Sequence, residues 1–280
     1  MRWVICALMA VAFAPSAYAG DFDVLRGPVP TYHWGGFYAG GQVSFSSANG
    51  NFTSATQSNL AYILRNTQIN EDEGISNWSV LQPQTSTGAG NFGGFAGYNV
   101  EWQDIVLGLE LNYNRVSLST STSGAEERTF FDSNNLPANH NYFYDVRAGA
   151  QASLQMTDIA QLRTRAGVEV SNYLPYTFLG FAVGRANYAN TATVEYTAVD
   201  EPAVTNPPTT PLPDLAFGPV SQGQSQGNAY LYGISGGFGT DIGITPNIFL
   251  RGELEYIYFF PVDGIHVTVA SARVGAGIKF

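Results

Sequence analysis

Apolar and polar residues alternate along most of this chain, the pattern of β-strands whose two faces meet different surroundings. In the clearest case, Leu107, Leu109 and Leu111 alternate with Gly108 and Glu110. Eight such segments can be recognised, each separated from the next by a turn or a loop. They cover about residues 36–46, 88–101, 105–114, 148–170, 176–196, 227–242, 248–260 and 270–280.

The fourth segment keeps one alternation from Ala148 to Val170. About 9–11 tilted residues suffice to span a membrane, so an unbroken strand here would project beyond the bilayer. Asp158 falls among the apolar positions and can instead mark a break into two strands. The sequence leaves both alternatives open.

The connections between the segments alternate between long and short. The long or outward-facing ones are 47–87, 119–145, 198–226 and 261–265, and the tight turns are 101–104, 171–175 and 244–247. A soluble sandwich does not require this alternation, whereas an up-and-down barrel in a membrane does. We therefore predict an all-β fold, an eight-stranded antiparallel transmembrane β-barrel with long extracellular loops and both ends in the periplasm.

Composition narrows the function classes. Only 12% of the residues are charged, against about 25% in an ordinary globular protein. The formal net charge of -10 is opposite to that of a nucleic-acid binder, so no nucleic acid is expected as a partner. After the first twenty residues no run approaches the ~18 apolar residues of a membrane-spanning helix.

The first residues have the form of a secretory signal peptide. Arg2 precedes an apolar stretch, and Ala17-Tyr18-Ala19 has the small-x-small form of a cleavage site. We predict a signal peptide at 1–19, a periplasmic tail at 20–33 and a barrel at 34–280, exported through the Sec pathway to the outer membrane. The one cysteine, Cys6, lies in the signal peptide, so the mature chain is predicted to have no disulfide.

Aromatic residues near the strand ends predict the two interfacial belts of a membrane barrel. Trp34, Trp102, Tyr173 and Tyr176 are candidates for the periplasmic belt, and Tyr113, Tyr258 and Phe260 for the outer belt.

Charged residues on the predicted inner face form the main candidate site. Four arginines balance four glutamates: Arg163, Arg165, Arg251 and Arg273 against Glu110, Glu169, Glu253 and Glu255. The interior of an eight-stranded barrel is just wide enough to be filled by side chains, and buried charges must be paired. The network is interpreted as a salt-bridged plug, and the alternative is a narrow gated pore.

Several segments resemble a known family. They include Trp34-Gly-Gly-Phe-Tyr-Ala-Gly, Gly93-Gly-Phe-Ala-Gly-Tyr-Asn, Arg163-Thr-Arg-Ala-Gly, Arg251-Gly-Glu-Leu-Glu-Tyr and Arg273-Val-Gly-Ala-Gly-Ile-Lys-Phe. Together they resemble the α-proteobacterial outer-membrane immunogenic proteins, porin-like OmpA-type eight-stranded barrels. The resemblance implies the outer-membrane bilayer and lipopolysaccharide as surroundings, with barrel-assembly machinery and periplasmic chaperones as partners. Phe280, with Ile278 before it, resembles the assembly signal of such barrels.

Other functions have weaker support. An enzyme would have to use His33, His140 or His266, the last expected near Ser44 and Ser46, and no orienting carboxylate can be recognised. No metal-ligand spacing or cofactor motif in a suitable context is present, so no cofactor is expected. The polar loops, with acidic runs at 71–73 and 126–127 and one predicted helix at 59–70, could bind haem or a host molecule. The favoured function is a structural, surface-exposed barrel that contributes to envelope integrity, with a narrow passive pore or loop-mediated adhesion as alternatives.

Overall fold

A computed structural model describes residues 32–87, 90–134, 136–205 and 207–280. The predicted signal peptide and nearly all of the predicted tail lie outside the described residues. The strands are β1 (Gly36–Asn51), β2 (Gln84–Thr87), β3 (Asn91–Trp102), β4 (Ile105–Asp132), β5 (Tyr142–Val168), β6 (Tyr173–Asp200), β7 (Leu215–Thr245), β8 (Ile248–Val262) and β9 (Ile265–Lys279). Two short helices, α1 (Gln57–Ile63) and α2 (Gln68–Glu73), and a 3₁₀ turn (Ile75–Asn77) lie between β1 and β2.

The strands form one closed antiparallel barrel. Each of β3 to β8 pairs with the next strand in sequence, and β1 pairs with β3 on one side and with β9 on the other. The short β2 pairs with the upper part of β1, above the point where the pairing with β3 ends. Eight strands therefore close the wall, and the predicted all-β, eight-stranded antiparallel barrel is confirmed.

The two ends of the barrel differ. At the turn end, the connections are the short turns 103–104, 169–172 and 246–247. At the loop end lie loop 1 (52–83), loop 2 (133–141), loop 3 (201–214) and the tight turn 263–264.

Four strands are much longer than expected. β4, β5, β6 and β7 contain 28, 27, 28 and 31 residues, so most of 119–145 and 198–226, which we expected to be loops, is paired strand. Their upper parts form a four-stranded extension at the loop end, which we call the blade: residues 116–132, 142–156, 185–200 and 215–229. Serine- and threonine-rich alternation, which suggested loops, is here the water-facing side of the blade.

β5 is a single strand that changes sides at an irregularity. Between Thr157 and the turn end, its odd residues face inward, as Arg163 does. Between Thr157 and the loop end, its even residues face inward, as Ala150 and Leu154 do. The pairing with β4 and β6 shifts by one residue between Met156 and Asp158, as a β-bulge does. The uninterrupted alternation in sequence therefore places apolar side chains outside the lower barrel and inside the blade.

β4 reaches the same arrangement without changing sides. Its even residues face inward throughout, but they change from Asn112 and Asn114 below to Val116 and Leu118 above, where Thr120 and Thr122 are also buried. At the level of change, Tyr113 donates a hydrogen bond to Asp158 (2.5 Å), which also pairs with Arg185 (2.6 Å) on the outer surface. This level, which we call the boundary, separates an apolar outer wall from a polar one.

The outer wall below the boundary is apolar, as a lipid-facing wall must be. Large exposed side chains there include Phe37, Val100, Leu107, Leu111, Leu162, Leu179, Phe181, Ile234, Leu250 and Val274. Of the predicted belt residues, Trp102, Tyr113, Tyr173, Tyr258 and Phe260 are exposed on this wall.

Two predicted belt residues were placed wrongly. Trp34 is 2% exposed and Tyr176 is 4% exposed, and both lie in a buried aromatic cluster with Phe249 at the turn end of the interior. Tyr176 faces inward because β6 begins at Tyr173 with its odd residues outward, a register that the aromatic composition does not reveal.

Loop 1 fills the concave side of the blade. Its apolar residues, among them Phe52, Leu60, Ile69 and Leu81, form one buried cluster with inward residues of the blade. The single helix predicted at 59–70 is wrong, because α1 ends at Ile63 and α2 begins at Gln68. An isolated helix of twelve residues is marginal, and packing against the blade favours two short helices instead.

We predict opposite tolerance of charge on the two parts of β4. Leu111→Arg places a guanidinium on the lipid-facing wall and should lower the free energy of unfolding by about 2–4 kcal/mol. Ser121→Arg, on the outward side of the same strand above the boundary, should change it by less than about 0.5 kcal/mol. Denaturant titration of both variants in lipid vesicles measures this difference. Equal losses of unfolding free energy would show that the boundary is assigned to the wrong level.

Candidate functional site

The barrel interior below the boundary holds a compact network of charges. Inward positions of β4, β5, β7, β8 and β9 bring four arginines and four carboxylates to one level. They are Arg163, Arg165, Arg251, Arg273, Glu110, Asp241, Glu253 and Glu255, each at most 5% exposed. The formal charges of these eight residues cancel.

Arg163 lies at the centre of the network. Its guanidinium donates to both oxygens of Glu253, at 2.9 and 3.0 Å, and also pairs with Glu110. Glu255 lies 3.6 Å away. Such shared, partly bidentate contacts offset the cost of burying a guanidinium.

A second group joins the network on the side of the turn end. Asp241 accepts hydrogen bonds from Arg165 (2.6 Å) and from Arg251 (2.8 and 3.1 Å). Arg251 also donates to Glu110 (2.7 Å), which links this group to Arg163. Arg273, on the other side of Arg163, pairs with Glu255.

Aromatic side chains cover the guanidinium faces. Arg165 lies 3.8 Å from the ring centroid of Tyr176, Arg251 lies 4.0 Å from that of Phe95, and Arg163 lies 4.2 Å from that of Phe178. The hydroxyl of Tyr176 donates to Glu253 at 2.6 Å. Cation–π contacts of this kind are strongest where water is excluded.

The interior is filled above and below the charges. Toward the loop end, Gln42 donates to Asn112 and Asn114 at 2.9 and 2.7 Å, and the apolar cluster of the blade begins at Ile159 and Ile257. Toward the turn end lies the aromatic cluster around Trp34. The described side chains therefore close the lumen in three layers.

The structure brings together seven of the eight charged residues proposed from the sequence. Glu169 is the exception: it lies in the turn between β5 and β6, where its backbone N–H bonds to Asp104. Burial and nearby Glu101 raise the pKa of Glu169. Asp241 is the fourth carboxylate of the network, in place of Glu169. Its inward position could have been recognised from the alternation of β7, but the many glycines of that strand hide the alternation.

His266 does not lie beside Ser44 and Ser46, where the sequence placed it. His266 pairs with Asn51 across β1 and β9 and faces outward, whereas Ser44 and Ser46 lie opposite Arg273 and Ser271 lower down. His33 is exposed near Glu101.

His140 does have a carboxylate partner, which the sequence did not reveal. Its Nδ1 lies 2.6 Å from Asp200, which also accepts backbone hydrogen bonds from Leu212 (2.7 Å) and Asn141 (3.1 Å). Asp200 thus connects loop 2 to loop 3. Burial raises the pKa of Asp200, but these hydrogen bonds outweigh it and hold the pKa below its ordinary value.

No family model and no curated protein matches this chain. Among solved structures, it is similar to the attachment invasion locus protein Ail of Yersinia pestis, with 12% identity, a TM-score of 0.31, and coverage of 88% of this chain and 99% of that chain. Neisserial surface protein A matches with 13% identity, a TM-score of 0.32, and coverage of 87% and 97%. The outer membrane protease OmpT of Escherichia coli matches with 9% identity, a TM-score of 0.30, and coverage of 88% and 97%.

The assignment of the fold depends on the strand pairing described above. Among the described residues, no helix is long and apolar enough to cross a membrane. Within the same ranges, no group of three or more histidine, cysteine, aspartate or glutamate residues could hold a metal ion.

We predict strong coupling within the network. Arg165→Ala and Asp241→Ala should each lower the free energy of unfolding by about 3–5 kcal/mol, because each leaves a buried charge unpaired. The double variant should lose clearly less than the sum of the two. Arg185→Ala, which removes a half-exposed pair at the boundary, is the control and should cost about 1 kcal/mol or less. Additive losses in the urea unfolding of the refolded barrel would contradict the network.

The contact between loops 2 and 3 should resist moderate acid. Because the pKa of Asp200 is lower in the folded protein than in the unfolded chain, its stabilising contribution is present above the unfolded value, about 3.9, and is lost as pH falls through the folded value. Amide hydrogen exchange should show equal protection of Leu212 at pH 7 and pH 5. Asp200→Ala should abolish the protection and Glu201→Ala should not. Loss of protection of Leu212 between pH 7 and pH 5 in the unchanged protein would contradict a contact that depends on the carboxylate of Asp200.

Proposed function

We propose that this chain is a structural outer-membrane protein whose closed barrel stabilises the cell envelope and carries the blade and loop 1 as a folded surface extension. The observation that carries the proposal is the filled lumen. Eight paired charges of zero net charge lie between an aromatic layer and an apolar cluster. A barrel filled in this way suits anchoring and display better than transport.

The distribution of charge supports an orientation with the loop end outside the cell. The blade, the loops and the turn 263–264 contain twelve carboxylates and four arginines, whereas the lipid-facing wall below carries almost no charge. The loops of such barrels are longer on the outer side and short on the periplasmic side. On this orientation, lipopolysaccharide would surround the wall just below the boundary.

Membership of the α-proteobacterial outer-membrane immunogenic family, export as a signal-peptide precursor, and assembly through Phe280 belong to the same proposal. Phe280 continues β9, and its N–H bonds to the carbonyl oxygen of Phe37 at 2.8 Å. Ile278 faces outward. Both positions suit recognition of the last strand by an assembly machinery, and this remains a prediction.

A narrow pore is the second candidate, and one observation favours it. Seven buried side-chain polar atoms have no hydrogen-bond partner among the described residues. Three are near the turn end, and four are toward the charge network: Gln161 Oε1, Ser235 Oγ, Glu255 Oε1 and Arg273 Nε. Buried polar groups of this kind are usually satisfied by water. Water at this level could form part of a path for protons or small ions.

Single-channel recording in planar bilayers tests the two functions. We expect the purified, heat-modifiable barrel to show no discrete openings in high salt, because the lumen is filled. Arg165→Ala should lower stability without creating openings of reproducible size, with Arg185→Ala as the matched control. Discrete openings in the unchanged protein, altered by Arg165→Ala and not by Arg185→Ala, would reject the structural function and establish the pore.

A further inference from the structure

The upper part of β7 has a partner on one side only. β7 pairs with β6 from Leu215 down to Ile242, but it pairs with β8 only from Gly233 downward. From Leu215 to Tyr232, the second side of the strand therefore has no strand partner among the described residues.

This edge is open to solvent. From Ser221 to Asn228, every residue except Gln222, which is partly buried, is exposed. Gly223 and Gly227 have no side chain, so their exposure is exposure of the peptide backbone itself. The atoms nearest to these two glycines belong to β6.

The opposite border of the blade is covered. Above Arg115, β4 has lost its pairing with β3, but loop 1 lies against it: the carbonyl oxygen of Val80 approaches Gly124, and Trp78 lies under the guanidinium of Arg128 at 4.5 Å. Exposed edges are sites where further strands add, and proteins usually protect them. Here one border is protected and the other is open.

The open edge has a regular ladder behind it. Between the register shifts at 186–188 and 194–196 of β6, the pairing from Val194 with Val220 to Tyr188 with Gln226 is uninterrupted. Such a straight stretch can accept about seven residues of an added strand, about 23 Å long. The side chains of Gln224 and Ser225 on its two faces are small or polar, so backbone hydrogen bonds would dominate recognition.

We propose that the edge of β7 from Ser221 to Gln226 binds an extended, positively charged polypeptide segment by strand addition. The region above the boundary is acidic as a whole: the blade, the loops and the turn 263–264 contain twelve carboxylates and four arginines. Asp214 directly precedes β7, and Asp263 lies near the lower end of the edge, where the hydroxyl of Tyr188 contacts both Asp263 and Gln226. The same charge disfavours a second copy of this chain as the occupant. The inference goes beyond the proposed structural function and does not depend on whether the lumen conducts.

Peptide binding to the full chain in detergent micelles tests the proposal. The probe is a fluorescent eight-residue peptide of alternating threonine and lysine, followed by fluorescence anisotropy. One control replaces lysine by glutamate. A second control carries N-methyl groups on two consecutive central residues, which removes hydrogen-bond donors from both edges of the peptide and keeps its charge.

We expect the lysine peptide to bind at least about tenfold more tightly than either control, and more weakly at high salt. The N–H groups of Gln224 and Ser225 point to opposite edges of β7. Of Gln224→Pro and Ser225→Pro, the variant that removes the N–H pointing away from β6 should reduce peptide binding while heat-modifiability is retained. Equal binding of the N-methylated peptide would show charge attraction without strand addition and would overturn the proposal. No binding, or self-association of the chain that either proline variant abolishes, would overturn it as well.

Discussion

The change from hydrocarbon to water at the boundary is the constraint on which the rest of the structure depends. In lipid, apolar side chains must face outward and polar ones can face only the lumen; in water, the preference is reversed. A strand that crosses the boundary must therefore exchange its two faces. β4 exchanges the chemistry of its residues and keeps its geometry, whereas β5 keeps its alternation and changes sides at Thr157.

Both interiors follow from this exchange. Below the boundary, the lumen receives the charges that the lipid-facing wall excludes, and these charges must pair because they are buried. Above it, the blade turns apolar residues inward, and a four-stranded sheet cannot bury them alone. Loop 1 therefore packs into the concave side, and the same apolar cluster closes the lumen from above. The lumen is thus closed for two reasons that apply at the boundary: the buried charges below must pair, and the apolar residues above must be buried.

The sequence predicted what depends on alternation alone and missed what depends on register. The eight strands, their antiparallel order and the four lumen arginines could be recognised because each strand repeats a two-residue period. Glu169 was assigned to the lumen because it continues the odd parity of Arg163 and Arg165, but β5 ends at Val168. Asp241 was missed because the glycine-rich β7 hides which parity faces inward. Tyr176 was assigned to the belt because the register of β6 is hidden in the same way. Trp34 was assigned to the belt because the sequence does not show that the chain before β1 packs against Phe249 in the interior. The blade was taken for loops because alternating serine and threonine resemble loop composition, and the contact of His140 with Asp200 joins residues sixty positions apart.

A spin-label scan along β4 in lipid vesicles tests the central claim most directly. Labels at the outward positions 107–113 should be accessible to oxygen and shielded from a water-soluble nickel reagent, and those at 119–131 should show the reverse. Labels at the inward positions 110 and 118 should be shielded from both relaxing agents. If the outward positions above Ser117 behaved as lipid-facing, or the inward positions were accessible to the nickel reagent, the account of a closed barrel with a change of solvent at the boundary would be wrong.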